Sequence, residues 1–278
     1  MDKQVTKIAY IIQARMKSER LPGKVLMPIP LVKGRSILER IVDNLKNIDG
    51  DIIVATSVNP ENDQIESFCK EKKILCFRGD EKNVLSRFLA IQKNSSYDVI
   101  VRLTADNPFL DLNYIEKAIS YLVSNQLDYV YTKGLPLGMN VEVIKGDTLV
   151  ESEKYIQSES DKEHVTLPLK RENCFKTGSY NTDVDYERYR LTVDTAQDFL
   201  LASALLQIGD DENISGMELV KYIEANFPWL LKANTNIFQK NAQIDIYSET
   251  QEAIKVLQKL EYNQTANYLI KNIISRST

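Results

Sequence analysis

The 278-residue chain carries only three cysteines, Cys69, Cys76 and Cys174, and a single histidine, His164. An odd cysteine count without CxxC spacing excludes a disulfide framework or a structural zinc site, and a reducing cytoplasm is the expected location. Nowhere do 18 apolar residues run together, and Met1-Asp2-Lys3-Gln4 leads straight toward a strand, so neither export nor membrane insertion is expected. There is no excess of positive charge either: 35 Lys and Arg stand against 39 Asp and Glu. Nucleic-acid binding needs a basic stripe, which a chain of net charge −4 does not offer. A hydrophobic fraction of 43% is nevertheless enough for a real core.

What the chain does have is one basic loop behind an apolar strand. Ile11-Ile12-Gln13-Ala14-Arg15 runs on through Lys17, Ser18, Arg20, Leu21-Pro22-Gly23 and Lys24. Arg15 and Arg20 can grip phosphate oxygens as bidentate forks, Lys24 can act as a point charge, and backbone N–H groups near Ala14 and Gly23 can line the rest. Such a loop suits a triphosphate.

Short apolar runs at Ile8 to Ile12, Asp51 to Ala55, Ile74 to Phe77, Val99 to Leu103 and Asp128 to Tyr131 alternate with helical periodicity, the pattern of a mostly parallel sheet wrapped by helices. Ser36 with Glu39, Asp111, Thr195 with Asp198, Ser215 with Glu218, and Ser248 with Gln251 mark helix starts, and Asn59-Pro60 marks another. Met139 to Ile144 reads as an extended excursion and Arg190 to Val193 as a late strand. The polar stretch 234–241 reads as a linker before terminal helices with Ile254, Leu257 and Leu260, then Tyr268, Leu269, Ile273 and Ile274, on one stripe.

Asp106, in Arg102-Leu-Thr104-Ala-Asp106-Asn-Pro108, should emerge at the same sheet rim as the basic loop. Asp194 ends the second such segment, while Asp198 holds a capping position. Two carboxylates beside a triphosphate suit Mg²⁺, which takes one or two carboxylates plus phosphate oxygens and water.

The loop, these two aspartate segments, Phe77-Arg78-Gly79-Asp80 with Asn83 to Arg87, Leu137 to Val143, and Glu163-His164-Val165-Thr166 occur together in one order. That order resembles the type-3 cytidylyltransferases, especially their spore-coat-polysaccharide branch, with sialic acid and Kdo cytidylyltransferases as more distant relatives. The resemblance spans roughly Ile8 to Leu206. It implies an α/β, nucleotide-diphospho-sugar-transferase-like, doubly wound, mostly parallel sheet with a protruding β excursion and a C-terminal helical tail. The division expected is 1–225 for the α/β domain and 226–278 for the linker and helices.

The activity implied is transfer of CMP from CTP to a small anionic acceptor, a nonulosonic-acid-like sugar, with release of pyrophosphate. Arg15, Lys24 and Asp106 are the expected catalytic residues. Gln13, Ala14, Arg15, Ser18, Arg20, Lys24, Arg78, Gly79, Arg102, Thr104 and Asp106 would bind nucleotide, with Asp80 paired to Arg87. Asn140, Glu142 and His164 would bind the acceptor, and Asp106 and Asp194 would hold Mg²⁺ or Mn²⁺. A homodimer is expected through Leu137 to Val143, the terminal helices, or both. Two departures from the family pattern bear on the acceptor: Asn140 replaces a carboxylate, and Leu167 precedes Pro168. A glycosyltransferase of similar architecture, a phosphonate cytidylyltransferase and a silent nucleotide-binding scaffold are the alternatives. Thr104-Ala-Asp106-Asn lacks the Asp-x-Asp usual in such glycosyltransferases.

Overall fold

A computed structural model describes residues 6–31, 34–237 and 246–272. The chain divides into two compact units, Met1–Asn236 and Ile237–Thr278. The first contains strands β1 (Ile8–Gln13), β2 (Pro28–Ile29), β3 (Arg35–Ser36), β4 (Asp51–Ser57), β5 (Leu75–Gly79), β6 (Val99–Thr104), β7 (Tyr129–Lys133), β8 (Glu142–Lys145) and β9 (Thr177–Asn181). Seven of these form one sheet in the order β5-β4-β1-β6-β8-β7-β9, and β2 pairs with β3 in a separate ribbon. Every neighbour in the large sheet is parallel except β8, which runs against both β6 and β7.

The apolar runs are near-continuous because both sheet faces are covered. Ile12, Val54 and Val101 point to one side, where α1 (Ile37–Leu45), α2 (Asp63–Lys72), α4 (Leu112–Ser124), α8 (Ala196–Glu212) and α9 (Gly216–Asn226) pack. Ile11, Ile53 and Ile100 point to the other, against α3 (Val84–Ser95), α5 (Gly146–Ser152) and α7 (Leu167–Arg171). α6 (Glu159–His164) leads into α7. The chain steps from β1 outward to β4 and β5, then α3 carries it back to β6 on the opposite side of β1. The order therefore reverses between β1 and β6, and ligands of open α/β sheets bind at the carboxyl ends of strands at such a reversal.

Ser36 accepts from the Glu39 amide at 3.1 Å, and Thr195 and Asp198 form a reciprocal capping box. Ser215 makes no capping bond. Asp111 instead caps two helices, accepting from Tyr114 N at 3.3 Å and from Met217 N at 2.8 Å.

Four segments differ from expectation. The Met139 to Ile144 excursion returns into the sheet as β8, because Val143 and Ile144 are each fully buried on opposite faces. β9 has no apolar alternation to announce it, and Arg190 to Val193 contributes only one bridge, Leu137 to Arg190. Asn234, first residue of the expected linker, is buried and belongs to the first unit.

The second unit comprises α10 (Ile246–Lys259) and α11 (Asn263–Asn272), with Ile254 and Ala266 buried and Leu260, Tyr262 and Tyr268 exposed. Its first helix begins two residues before Ser248. Ile273, Ile274 and 238–241 of the linker lie outside the described residues.

Candidate active site

The loop after β1 is closed by Gly23, whose φ of 74° favours glycine, and its amide reaches Met16 O at 2.8 Å. Asn62, fully buried, accepts from Met16 N at 2.8 Å. Ala14 N donates to Ala55 O at 3.1 Å and Ala105 N to Gln13 O at 3.0 Å, so the loops after β1 and β6 leave the sheet as neighbours. Ser18 is half-buried, and Arg15 and Arg20 are exposed on the loop.

The chain then turns inward at Lys24, which is 7% exposed. Its ammonium donates to Val193 O at 2.7 Å, Asp194 Oδ1 at 2.8 Å and Asp106 Oδ2 at 3.2 Å. Residues 24, 106 and 194, far apart in sequence, thus meet on one nitrogen. Thr104 Oγ1 donates to Asp106 Oδ1 at 2.6 Å. Asp194 is further bracketed by Arg20 at 3.1 Å and Arg190 at 2.7 Å. Burial pushes its carboxyl up, but the Lys24 charge and the bonds from Lys24 and Arg190 hold it below the usual carboxylate range.

Asp198 is the platform beneath this cluster. It is 1% exposed and accepts from Arg190 Nε and the amides of Asp194 and Thr195, each at 3.0 Å, and from Asn234 Nδ2 at 2.8 Å. Sequence reasoning missed both Arg190 and Asn234. The i, i+4, i+8 spacing of Arg190, Asp194 and Asp198 was the available signal; Asn234 had none.

Among the described residues no group of three or more His, Cys, Asp and Glu side chains could hold a metal ion. Asp106 Oδ2 and Asp194 Oδ1 nevertheless converge on one point, which the Lys24 ammonium occupies. Two hard oxygen donors beside this basic loop are of the type that Mg²⁺ or Mn²⁺ takes.

A second cluster lies along β6, β8 and β7. Glu142 Oε1 accepts from Tyr129 OH at 2.5 Å, Thr166 Oγ1 at 2.8 Å and Lys170 Nζ at 2.8 Å, while Oε2 accepts from Arg102. Arg102 Nε donates to Gln13 Oε1 at 3.1 Å. Three donors crowd Oε1 and one meets Oε2, so Glu142, expected to bind the acceptor directly, is engaged internally. Burial pushes the Glu142 carboxyl up, yet Arg102 and Lys170 prevail and set it at about 2. Between His164 and Thr166, Val165 centres a γ-turn of the rare hand, φ 59° and ψ −50°, closed by Thr166 N to His164 O at 2.5 Å. A buried β-branched residue there is strained, and the turn delivers Thr166 to Glu142. His164 is half-buried; Asn140 is exposed, with Thr132 Oγ1 3.4 Å from its Oδ1. Arg15 meets Glu163 at a loose 3.7 Å with both side chains about half exposed, a weak contact.

Arg78 and Gly79 end β5, two strands from β1 in the sheet. Arg78 donates to Ser57 O and Asn59 O, each at 3.1 Å, and pairs with Asp63 at 2.7 Å and Glu66 at 2.5 Å. It pins the end of β4 to α2. The expected Asp80–Arg87 pair does not form: Asp80 accepts from the Lys82 and Asn83 amides, and buried Arg87 donates to Ala55 O and Glu81 O. The Arg87 stem crosses Gly79, where a Cβ would meet it at 2.8 Å.

Residues 9–263 match the family model described as cytidylyltransferase. An uncharacterized protein of Methanocaldococcus jannaschii is 38% identical over 252 residues, 88% of this chain and all of that one. The spore coat polysaccharide biosynthesis protein SpsF of Bacillus subtilis is 34% identical over 228 residues, 79% of this chain and 95% of its own length. The solved structure of a cytidylyltransferase from Leptospira borgpetersenii superposes with a TM-score of 0.76 at 25% identity, covering 85% of this chain and 100% of that one. The six sequence blocks, the strand reversal at the basic loop and these likenesses agree: the chain belongs to the cytidylyltransferase family and is a CTP-dependent nucleotidyltransferase.

Proposed function

We propose that the enzyme transfers CMP from CTP to an acidic sugar, of the nonulosonic-acid kind, in the making of a surface polysaccharide or glycan. The observation that carries this reading is the convergence of Asp106 and Asp194 on Lys24 beside Arg20, at the strand reversal. The kinship to SpsF and the resemblance to sialic acid and Kdo cytidylyltransferases support the acceptor class.

In this reading Arg15, Arg20 and Lys24 hold the β- and γ-phosphates. Asp106 and Asp194 would hold a divalent cation, which supplies charge neutralisation at the triphosphate. An acceptor hydroxyl oxygen attacks the α-phosphorus in line. The bond from that phosphorus to the acceptor forms, the bond to the β-phosphate bridging oxygen breaks, pyrophosphate departs, and the hydroxyl proton passes to solvent. Positioning and electrostatics are sufficient, and no protein nucleophile is needed.

The test is pyrophosphate release, followed as phosphate after pyrophosphatase, with each NTP against a panel of 2-keto-3-deoxy sugar acids and phosphonates. CTP with a sugar acid is expected to give signal. Signal only with a phosphonate would replace the acceptor class.

A further inference from the structure

The Glu142 cluster carries more positive charge than the transfer chemistry uses. Tyr131 is registered opposite Glu142 and its ring is stacked on Tyr129, centroids 6.0 Å apart. Lys133 Nζ lies 5.5 Å and Lys170 Nζ 5.8 Å from the Tyr131 centroid, and Lys170 Nζ is also 5.7 Å from that of Tyr129. Both lysines are exposed. Lys170 shares its single carboxylate, Glu142, with Arg102, and among the described residues Lys133 has no carboxylate within 4.0 Å. Two cations thus share one acid, and Lys133 stands over the neighbouring ring with no acid of its own.

Aromatic faces hold ammonium groups in place while leaving N–H donors free for a ligand. Lys170 has two donors left after its bond to Glu142. The Arg102 to Gln13 bond ties the cluster to the phosphate loop, and β8, which presents Glu142, is two strand spacings from β1, about 10 Å. That is the scale of one sugar reaching from the α-phosphate.

We propose that Lys170 and Lys133, set against the Tyr129–Tyr131 pair, form the subsite for the carboxylate of the acceptor. Glu142 is a positioning residue: it fixes Lys170 and Arg102 and does not touch the acceptor. This rests on the acidic-sugar reading above. A carboxylate fits because two ammonium groups beside an aromatic face offer charge, several donors and an apolar wall for the sugar ring.

The experiment measures turnover of 3-deoxy-manno-octulosonate and N-acetylneuraminate, each beside its methyl ester, by wild type, Lys133→Gln/Lys170→Gln and Glu142→Gln. Wild type is expected to prefer the better acid over its ester by about tenfold or more, as for a charged hydrogen bond. The double variant should lose that preference with the CTP KM unchanged, and Glu142→Gln should raise the acid KM while retaining kcat at saturation. A double variant that keeps the preference overturns the subsite and leaves the acceptor class standing. Glu142→Gln that lowers kcat without moving the acid KM overturns the positioning role. If wild type releases pyrophosphate with neither acid, the acidic-sugar reading and the subsite fall together.

Discussion

Lys24 is the residue that joins the basic loop to both aspartates. With its ammonium bonded to Val193 O, Asp106 and Asp194, it neutralises two carboxylates held close together. Lys24→Ala is expected to cost about 1–3 kcal/mol of stability through unmade charged hydrogen bonds, and to slow CTP turnover by about tenfold or more. Asp106→Asn, at the open rim, should keep the fold and lose most turnover. Circular dichroism with CTP kinetics checks both, and near wild-type kcat for Asp106→Asn at saturating Mg²⁺ would remove Asp106 from the chemistry. Glu142 makes a different prediction. Its carboxyl sits at about 2 against an ordinary 4.5, so the folded state favours the charged form and gains roughly 3 kcal/mol at neutral pH. That gain is present above about pH 4.5 and is lost as pH falls through about 2. Denaturation midpoints of wild type and Glu142→Gln should therefore differ most at neutral pH and converge in acid; a constant difference would show that Glu142 does not carry it.

At the scale of elements, the start of α8 does two jobs. Thr195 caps the helix, while Asp198 also anchors Arg190 and, through it, Asp194. Thr195→Ala should cost about 1 kcal/mol, as a lost N-cap does. Asp198→Ala should cost roughly 3 kcal/mol, because buried Arg190 keeps only Asp194, and the Asp194 and Thr195 amides and Asn234 lose this acceptor. Urea titration of both variants separates the two, and equal losses would mean that Asp198 is only a cap. The capping box was legible because Thr195 and Asp198 are local. So were β1, β4, β6 and β7, whose apolar runs reflect burial on both faces. β9 was not, since Thr177-Gly-Ser-Tyr-Asn181 has no alternation and is specified by its pairing with β7. β8 was seen as extended, but its place between β6 and β7 is tertiary. In the same way the residue types of the basic loop and the aspartates were readable, whereas the donors around Glu142 come from β6, β7, and α7 with its N-cap, and no local pattern unites them.

At the scale of the molecule, the expected dimer surface narrows. Met139, Val141 and Val143 are at most 1% exposed, so the segment around β8 offers little to a partner, while Leu260, Tyr262 and Tyr268 of the second unit are 60–65% exposed. Light scattering at micromolar concentration is expected to return twice the chain mass, and Leu260→Glu/Tyr268→Glu to return the monomer; a monomeric wild type would contradict the dimer. The carboxylates and cations gathered at the strand reversal are expected to direct an acceptor oxygen to the α-phosphorus of CTP. Phosphorus-31 NMR of enzyme, CTP, Mg²⁺ and 3-deoxy-manno-octulosonate or N-acetylneuraminate tests it most directly. With one of these acids the three triphosphate resonances should give way to one phosphodiester and one pyrophosphate resonance in equal molar amounts; CDP with phosphate, or CMP without a new phosphodiester, would contradict it.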